Sequence, residues 1–279
     1  MTVTLSDDPA QALQVAGRFL SSDPVRHNVI LTLLHARISD PEPGRYWVVH
    51  RQGDVKGVVL QSPLSLFANL TPMDEDSIIE AVAAIVDSGV RLPGVRGSAA
   101  TAARFAGEWT DRTGLAAAPA DGTRIYELPA APLVPSVSGR IRPAASQDRD
   151  LVQSWMQGFY QDIGENGADA SRVVDARLAL GQFWLWITDV PVSLAGASLP
   201  AEGVVRIQAA YTPPELRNRG YASACVATVS KLKRSEGLRC ILYTDLANPI
   251  SNRIYRRIGY RAISEGLSYS FASDPRAEE

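Results

Sequence analysis

Tyr211 to Ala224 reads YTPPELRNRGYASA, and its meaning depends on what stands on either side. Before it, VVRIQAA (Val204 to Ala210) is a short apolar run with β-branched residues, the pattern of a buried strand. After it, Tyr221, Cys225, Val229 and Leu232 recur at helical spacing. They carry a helix to about Glu236, with Gly237 just past its end. The chain therefore turns within Arg217-Asn218-Arg219-Gly220-Tyr221-Ala222. Gly220 lets the backbone come close to a ligand, and Ala222 keeps the next turn clear of bulk. The helix aims its unpaired N–H groups at that gap, which favours a phosphate. Arg217 and Arg219 add positive charge at the same mouth. The stretch reads as a cradle for a pyrophosphate.

Other phosphate loops do not fit. A Walker loop ends in Gly-Lys-Ser/Thr, which is absent, and the dinucleotide fingerprint needs three glycines where only Gly220 stands. A second patterned segment follows the next apolar run, RCILYTDL (Arg239 to Leu246): NPISNRIYRRIGY, Asn248 to Tyr260. Asn248 before Pro249 is a helix start, with Asn248 as the cap and Pro249 at the first helical position. Ile250, Ile254 and Ile258 step every four residues as a buried stripe, and Gly259 ends the helix. Tyr255 lies about 100° round from that stripe, on the flank it shares with Ser251.

Arg-x-x-Gly-x-Ala and N-x-x-S-N-x-x-Y-x-x-x-G-[FY], in this order with a helix and a strand between, resemble the two signatures of the GNAT acetyltransferase superfamily. The resemblance covers about 140 to 272 directly. It implies an α/β (α+β) fold, a mixed and mostly antiparallel sheet flanked by helices. It also implies an N-acetyltransferase that moves an acetyl group directly from acetyl-CoA to a primary amine. The pantetheine arm would lie where the fourth and fifth strands part, and a backbone N–H near Ala210 or Tyr211 would polarise the thioester carbonyl. Carried over by position, Thr212, Arg217, Asn218, Arg219, Gly220, Tyr221, Ala222, Ser223, Asn248 and Asn252 join them as coenzyme contacts. Tyr255 matches the family's general acid, a phenol whose ordinary pKa is about 10. Trp155, Phe159, Tyr160 and Asp162, on an early helix, are candidates for the acceptor site or for core packing.

The base departs from the family pattern. Where many members place a Glu on the fourth strand, this chain has Arg206 and Gln208. Glu202 before that strand and Asp245 at the end of the fifth are the nearby carboxylates, with Asp245 the catalytic candidate. An amine already neutral needs neither. The same departure leaves open a non-catalytic acyl-CoA-binding or sensor protein.

The 279 residues suit two domains, and a formal net charge of −2 gives no bulk attraction to nucleic acid or an anionic membrane. Cys225 and Cys240 make neither a disulfide framework nor a zinc set and read as buried thiols; no metal is expected. No apolar run reaches membrane-span length, and MTVTLSDDPA lacks the pattern of a signal peptide, so a cytoplasmic protein with a small-molecule or peptide amine substrate is expected. Lys231, Lys233 and Arg234 read as a solvated helix face.

The first half, 1–129, has its own rhythm of helix, helix, three strands, helix, strand, helix, strand, beginning at Asp8-Pro9. Its third strand, LSLFANL (Leu64 to Leu70), runs into Thr71-Pro72-Met73-Asp74-Glu75-Asp76. Three carboxylates at that helix mouth repel a pyrophosphate. This half therefore reads as a GNAT-like domain without coenzyme binding, serving either as a wall of the substrate cleft or as support for its neighbour. His27 and His35, lacking nearby ligating partners, read as partly exposed surface histidines. PAAPLVPSVSG (Pro129 to Gly139) is the expected linker, placed at 130–139, and 140–279 the catalytic domain. There, Ser146 is the expected helix cap, and Ile163-Gly164-Glu165-Asn166-Gly167 reads as a substrate-gating loop or a plain connector.

Overall fold

A computed structural model describes residues 1–164 and 170–272. Residues 165–167 of the predicted gating loop lie outside the described residues. The chain divides into two compact units. The first takes Met1–Arg124, Asp245–Ala247 and the stretch from Ser264; the second takes Ile125–Thr244 and Asn248–Ile263. This is not a cut through the proline-rich linker.

The first unit runs β1 (Thr2–Ser6), α1 (Pro9–Ser22), α2 (Asn28–Ser39), β2 (Arg45–Arg51), β3 (Asp54–Gln61), β4 (Ala68–Leu70), α3 (Glu75–Asp87), β5 (Gly94–Ser98) and α4 (Ala99–Thr113), then enters β6 (Ala117–Glu127). Asp8 caps α1 by accepting the Ala10 N–H at 2.8 Å. The β2–β3 hairpin turns at Gln52 and Gly53, both at positive φ, which matches the strand twist. β4 is shorter than the expected 64–70. The Gln61 amide donates to the carbonyls of Leu64 (2.8 Å) and Leu66 (3.2 Å), and this holds those residues as a loop. The core packs Trp47, Val59, Ile78, Val82, Phe105 and Trp109 between sheet and helices. His27 is buried rather than exposed: its ring stacks on Phe19 and Nδ1 meets the Leu20 carbonyl at 3.0 Å. Burial holds its pKa below the ordinary value, whereas His35 is exposed as expected.

The second unit contains β7 (Arg140–Pro143), α5 (Arg149–Asp162), α6 (Ala170–Ala179), β8 (Phe183–Ile187), β9 (Pro191–Ala197), β10 (Val204–Tyr211), α7 (Tyr221–Ser235), β11 (Arg239–Asp245) and α8 (Pro249–Ile258), followed by β12 (Arg261–Phe271). Asp148, not Ser146, organises the approach to α5. Its carboxylate accepts the Ala145 N–H at 2.8 Å and both arms of Arg142 at 2.6 and 2.7 Å. Alternation along the strands splits the interior into two layers. Val205, Ile207 and Leu242 pack under α7 with Val226 and Val229. Leu185, Leu194 and Tyr211 pack under α5 and α6 with Trp155, Met156 and Val174.

The two halves repeat one topology. β1-β2-β3-β4 are antiparallel neighbours and β4-β5 are parallel; β7-β8-β9-β10 are antiparallel and β10-β11 parallel. β1 was not foreseen; it is the counterpart of β7. The last strand of each repeat crosses the division between the units: most of β12 belongs to the first, and the end of β6 to the second. β12 pairs with β5, Gly266 opposite Ser98 through Ser270 opposite Gly94, and Phe271 stacks on Trp109 at 4.8 Å. β6 lies next to β11 in the strand order, and just beyond it the Leu128 N–H donates to the Cys240 carbonyl at 2.9 Å.

Candidate functional site

A 3-10 turn (Pro214–Leu216) follows β10, and Arg217 to Gly220 lead into α7. Asn218 and Gly220 both take the left-handed conformation, φ 65° and 81°, with extended Arg217 before them. Two left-handed residues in so tight a turn are the kind of backbone from which anion-binding nests are built. Gly220 is the N-cap of α7, so no side chain caps the helix, and its first turn carries no acid. Tyr221, Ala222 and Ser223 are half-buried there. A side chain at 220 would be strained twice over, by φ and by the Val137 Cγ2, 3.1 Å from where a Cβ would stand. These residues fit a diphosphate.

The two arginines of the loop differ. Arg217 is committed within the protein: Nε donates to the Thr212 carbonyl at 3.0 Å, and an arm meets Asp162 at 2.5 Å. Its guanidinium also sits 5.8 Å from the Tyr211 ring. Arg219 is exposed, with one weak bond to the Glu215 carbonyl at 3.4 Å.

β10 and β11 pair only over Val204–Arg206 and Arg239–Ile241, yet β10 runs on to Tyr211 and β11 to Asp245. The strands therefore part at their C-terminal ends. On its other edge β10 carries a bulge: Gln208 faces Gly196 and Tyr211 faces Leu194, leaving one extra residue on β10. Ala209 takes φ 52°, and the bulge switches facing, so that Ala209 and Tyr211 join the α5–α6 layer while Ala210 packs against the α7 layer. Ser193 Oγ donates to the Tyr211 carbonyl and stands 2.9 Å from the Thr212 hydroxyl, which fixes the strand end. Tyr211 itself is buried, and a Cβ at Gly158 would fall 2.8 Å from its Cζ, so that glycine makes room for the phenol.

α8 begins as expected, with Asn248 Oδ1 accepting the Ser251 N–H at 3.0 Å, and ends at Gly259 with φ 110°. Ile254 and Ile258 pack inward; the side chain of Ile250 is outside those described. Asn252 differs from the expectation of a coenzyme contact. It is buried: Oδ1 accepts from the Tyr126 and Thr244 hydroxyls, both at 2.9 Å, and Nδ2 donates to the Asn248 carbonyl at 2.7 Å. Tyr126, on β6, carries no motif that could have announced this bond. Tyr255 is half-buried, edge-on to Tyr260 at 6.2 Å, and burial pushes its phenol up to about 12. Its hydroxyl has no hydrogen-bond partner among the described residues.

Around α5, Trp155 is buried against Tyr211 (6.4 Å), while Phe159 and Tyr160 are half-buried and 5.9 Å apart. Glu202 sits in the turn before β10. The eight residues to Ala210 span roughly 25 Å of extended chain, too far for a carboxylate to act at the bulge. Asp245 is exposed and accepts the Ala247 N–H at 2.7 Å. Arg206 and Gln208 face the α5–α6 side, opposite Val205 and Ile207. Both cysteines are buried as expected, their thiols pushed up by desolvation, Cys240 to about 11. The basic stripe on α7 is only partly solvated: Lys233 lies over Trp184 at 5.0 Å, and Arg234 donates to the Leu128 carbonyl at 2.8 Å. Among the described residues no cluster could hold a metal, and no helix is long and apolar enough to cross a membrane.

Residues 190–268 match the family model described as FR47-like protein. No curated protein matches the sequence. Among solved structures, a GNAT-family acetyltransferase from Colwellia psychrerythraea is 10% identical with a TM-score of 0.63, covering 98% of this chain and 100% of its own. A GCN5-related N-acetyltransferase from Sphaerobacter thermophilus is 14% identical with a TM-score of 0.62, covering 96% and 94%. A tandem GNAT protein from the clavulanic acid biosynthesis pathway is 9% identical with a TM-score of 0.57, covering 98% and 100%. The fold is that of the GNAT proteins, a mixed α/β architecture with a mostly antiparallel sheet.

Proposed function

We propose that the second unit transfers an acetyl group from acetyl-CoA to a primary amine. The observation that carries this reading is the uncapped start of α7, with Asn218 and Gly220 left-handed, following a strand that has parted from β11. The N–H groups from Asn218 to Ser223 hold the diphosphate, with Arg219 supplying charge. Arg217 positions the loop through Thr212 and Asp162 rather than meeting the phosphates. Bound acetyl-CoA supplies a thioester-activated acetyl group. Ala210 and Tyr211, at the bulge, aim a backbone N–H at the carbonyl oxygen. Tyr255 keeps its proton across the physiological range and gives it to the departing sulfur, and the proton that the attacking nitrogen sheds on becoming an amide restores the phenol. Asn248 caps α8 and so holds Tyr255 in register.

No carboxylate stands on β10. The amine is therefore taken neutral, without a dedicated base. In this reading the first unit does not bind the coenzyme; what supports that is the mouth of α3, where Asp74 caps the helix by accepting the Ser77 N–H at 2.9 Å and Glu75 and Asp76 follow.

Calorimetry with CoA and a thiol-release assay over a panel of amines test this reading. Micromolar binding with turnover that collapses in Tyr255→Phe is expected. Absence of CoA binding overturns the reading, and binding without turnover on any amine makes the protein an acyl-CoA sensor instead.

A further inference from the structure

On the α5–α6 side of the second unit's sheet stand two guanidiniums and a phenolic hydroxyl that no hydrogen bond or ion pair satisfies among the described residues. Arg206 on β10 and Tyr243 on β11 share a face beside the point where those strands part, and the guanidinium lies 5.6 Å from the ring centroid. Arg177 stands one helical turn after buried Val174 on α6, close enough for its charge and that of Arg206 to repel. Neither guanidinium makes a hydrogen bond or an ion pair among the described residues. The Tyr243 hydroxyl is sealed from solvent and also unbonded. Three other arginines of this unit do have a carboxylate: Arg142 has Asp148, Arg149 has Asp175 and Arg217 has Asp162.

Arg177 and Arg206 are both half-buried; taking a guanidinium even partly out of water without an ion pair is costly, and placing two near each other adds repulsion. Burial lowers the pKa of both guanidiniums and raises that of Tyr243, and the charge interactions with Tyr160, Tyr243 and Arg206 offset this only in part. Packing does not explain this, since an apolar side chain fills such a position without penalty. An arriving oxyanion does explain it. It offsets the two like charges, matches the planar fork of Arg, and accepts from the phenol.

We propose that the amine acceptor carries an oxyanion, a carboxylate or a phosphate, held by Arg206 and Arg177 with the Tyr243 hydroxyl. This rests on the acetyl-transfer reading above and names the substrate class of that site. The position is consistent with the chemistry, because Arg206 and Gln208 lead directly into the bulge where the carbonyl would lie.

The test uses the full chain. Calorimetry with acetyl-CoA comes first, since failure there overturns the transfer reading itself. Thiol release is then measured at saturating acetyl-CoA over matched amines: β-alanine against propylamine for the carboxylate, phosphoethanolamine against ethanolamine for the phosphate. One anionic member should be preferred about tenfold or more in kcat/KM, and Arg206→Met or Arg177→Met should erase that preference mainly through KM. Sodium acetate and inorganic phosphate, compared with chloride at equal ionic strength, give a readout independent of turnover: one should raise the Tm of the native protein and not of Arg206→Met. Each Met variant removes an unpaired charge, so its own Tm should hold or rise. Acetyl-CoA binding with equal or better use of neutral amines overturns this proposal alone. So does a preference that survives both substitutions, protection by neither anion, or a preference for succinyl-CoA with neutral amines.

Discussion

The Tyr126 hydroxyl donates to Asn252 Oδ1 at 2.9 Å across 126 residues of sequence, joining β6 to the helix that carries Tyr255. Thr244 donates to the same oxygen and Arg256 reaches the Tyr126 oxygen at 3.3 Å, so the bond is one part of a buried network. Tyr126→Phe keeps the ring and removes the donor. Because Thr244 still satisfies Asn252, the loss in unfolding free energy should fall near the low end of the range for a buried hydrogen bond, about 1 kcal/mol. Asn252→Leu strands the Tyr126 and Thr244 hydroxyls together and should cost more. Urea denaturation separates the two; equal losses would show that the network does not work as described.

Gly220 and Gly237 are both left-handed, at φ 81° and 82°, but only Gly220 has a neighbour close to where a Cβ would stand. Gly220→Val and Gly237→Ala should each cost about 1–2 kcal/mol of stability from the backbone. Only Gly220→Val should also weaken CoA binding, by about tenfold or more, because the side chain intrudes on the nest. Calorimetry on both variants, with Gly237→Ala as the control, decides this.

Tyr255→Phe should lower kcat by about 10²–10⁴ while CoA affinity stays within a few-fold. A phenol raised from 10.0 to about 12 by burial keeps its proton where the unfolded chain has begun to lose its own. Its shift therefore adds nothing to stability below pH 10, and the native state is disfavoured progressively as pH rises from 10 toward 12. The kcat profile should show no decline attributable to this group below about pH 10. An ultraviolet titration of tyrosinate should lose a late-titrating phenol in Tyr255→Phe.

Cys225 and Cys240 are buried and their thiolates disfavoured, Cys240 titrating near 11. Neither should react with an aromatic disulfide reagent over the time of an assay, and both should react after unfolding. Rapid labelling of the folded protein with loss of activity would contradict the burial and the direct-transfer reading together.

Much of the second unit was legible because its determinants are local. Asn248-Pro249 starts α8 and Gly259 stops it by capping rules that need no tertiary context. Gly220 marks the turn into α7 for the same reason. The destination of β6 and β12 was not legible. Alternation says that a segment is a strand, but hydrogen bonds to β5 or β11 are chosen by the whole sheet. The bulge at Ala209 left no trace either, since nothing about alanine signals a positive φ. His27 was misread because its burial comes from Phe19 and Leu20 on the preceding helix rather than from its own flanks. The proposed anion face was not legible either: Arg206 stands on its strand where many relatives place a Glu, and Tyr243 becomes its neighbour only when β10 and β11 pair.

The trade of final strands has a practical corollary. Severing the chain between Pro129 and Gly139 would hand each fragment the other's closing ribbon, leaving β5 or β11 with a bare row of amides and carbonyls. Two such pieces, made separately, should be poorly soluble alone and should recombine on mixing, like a zip whose teeth were cut from opposite cloths.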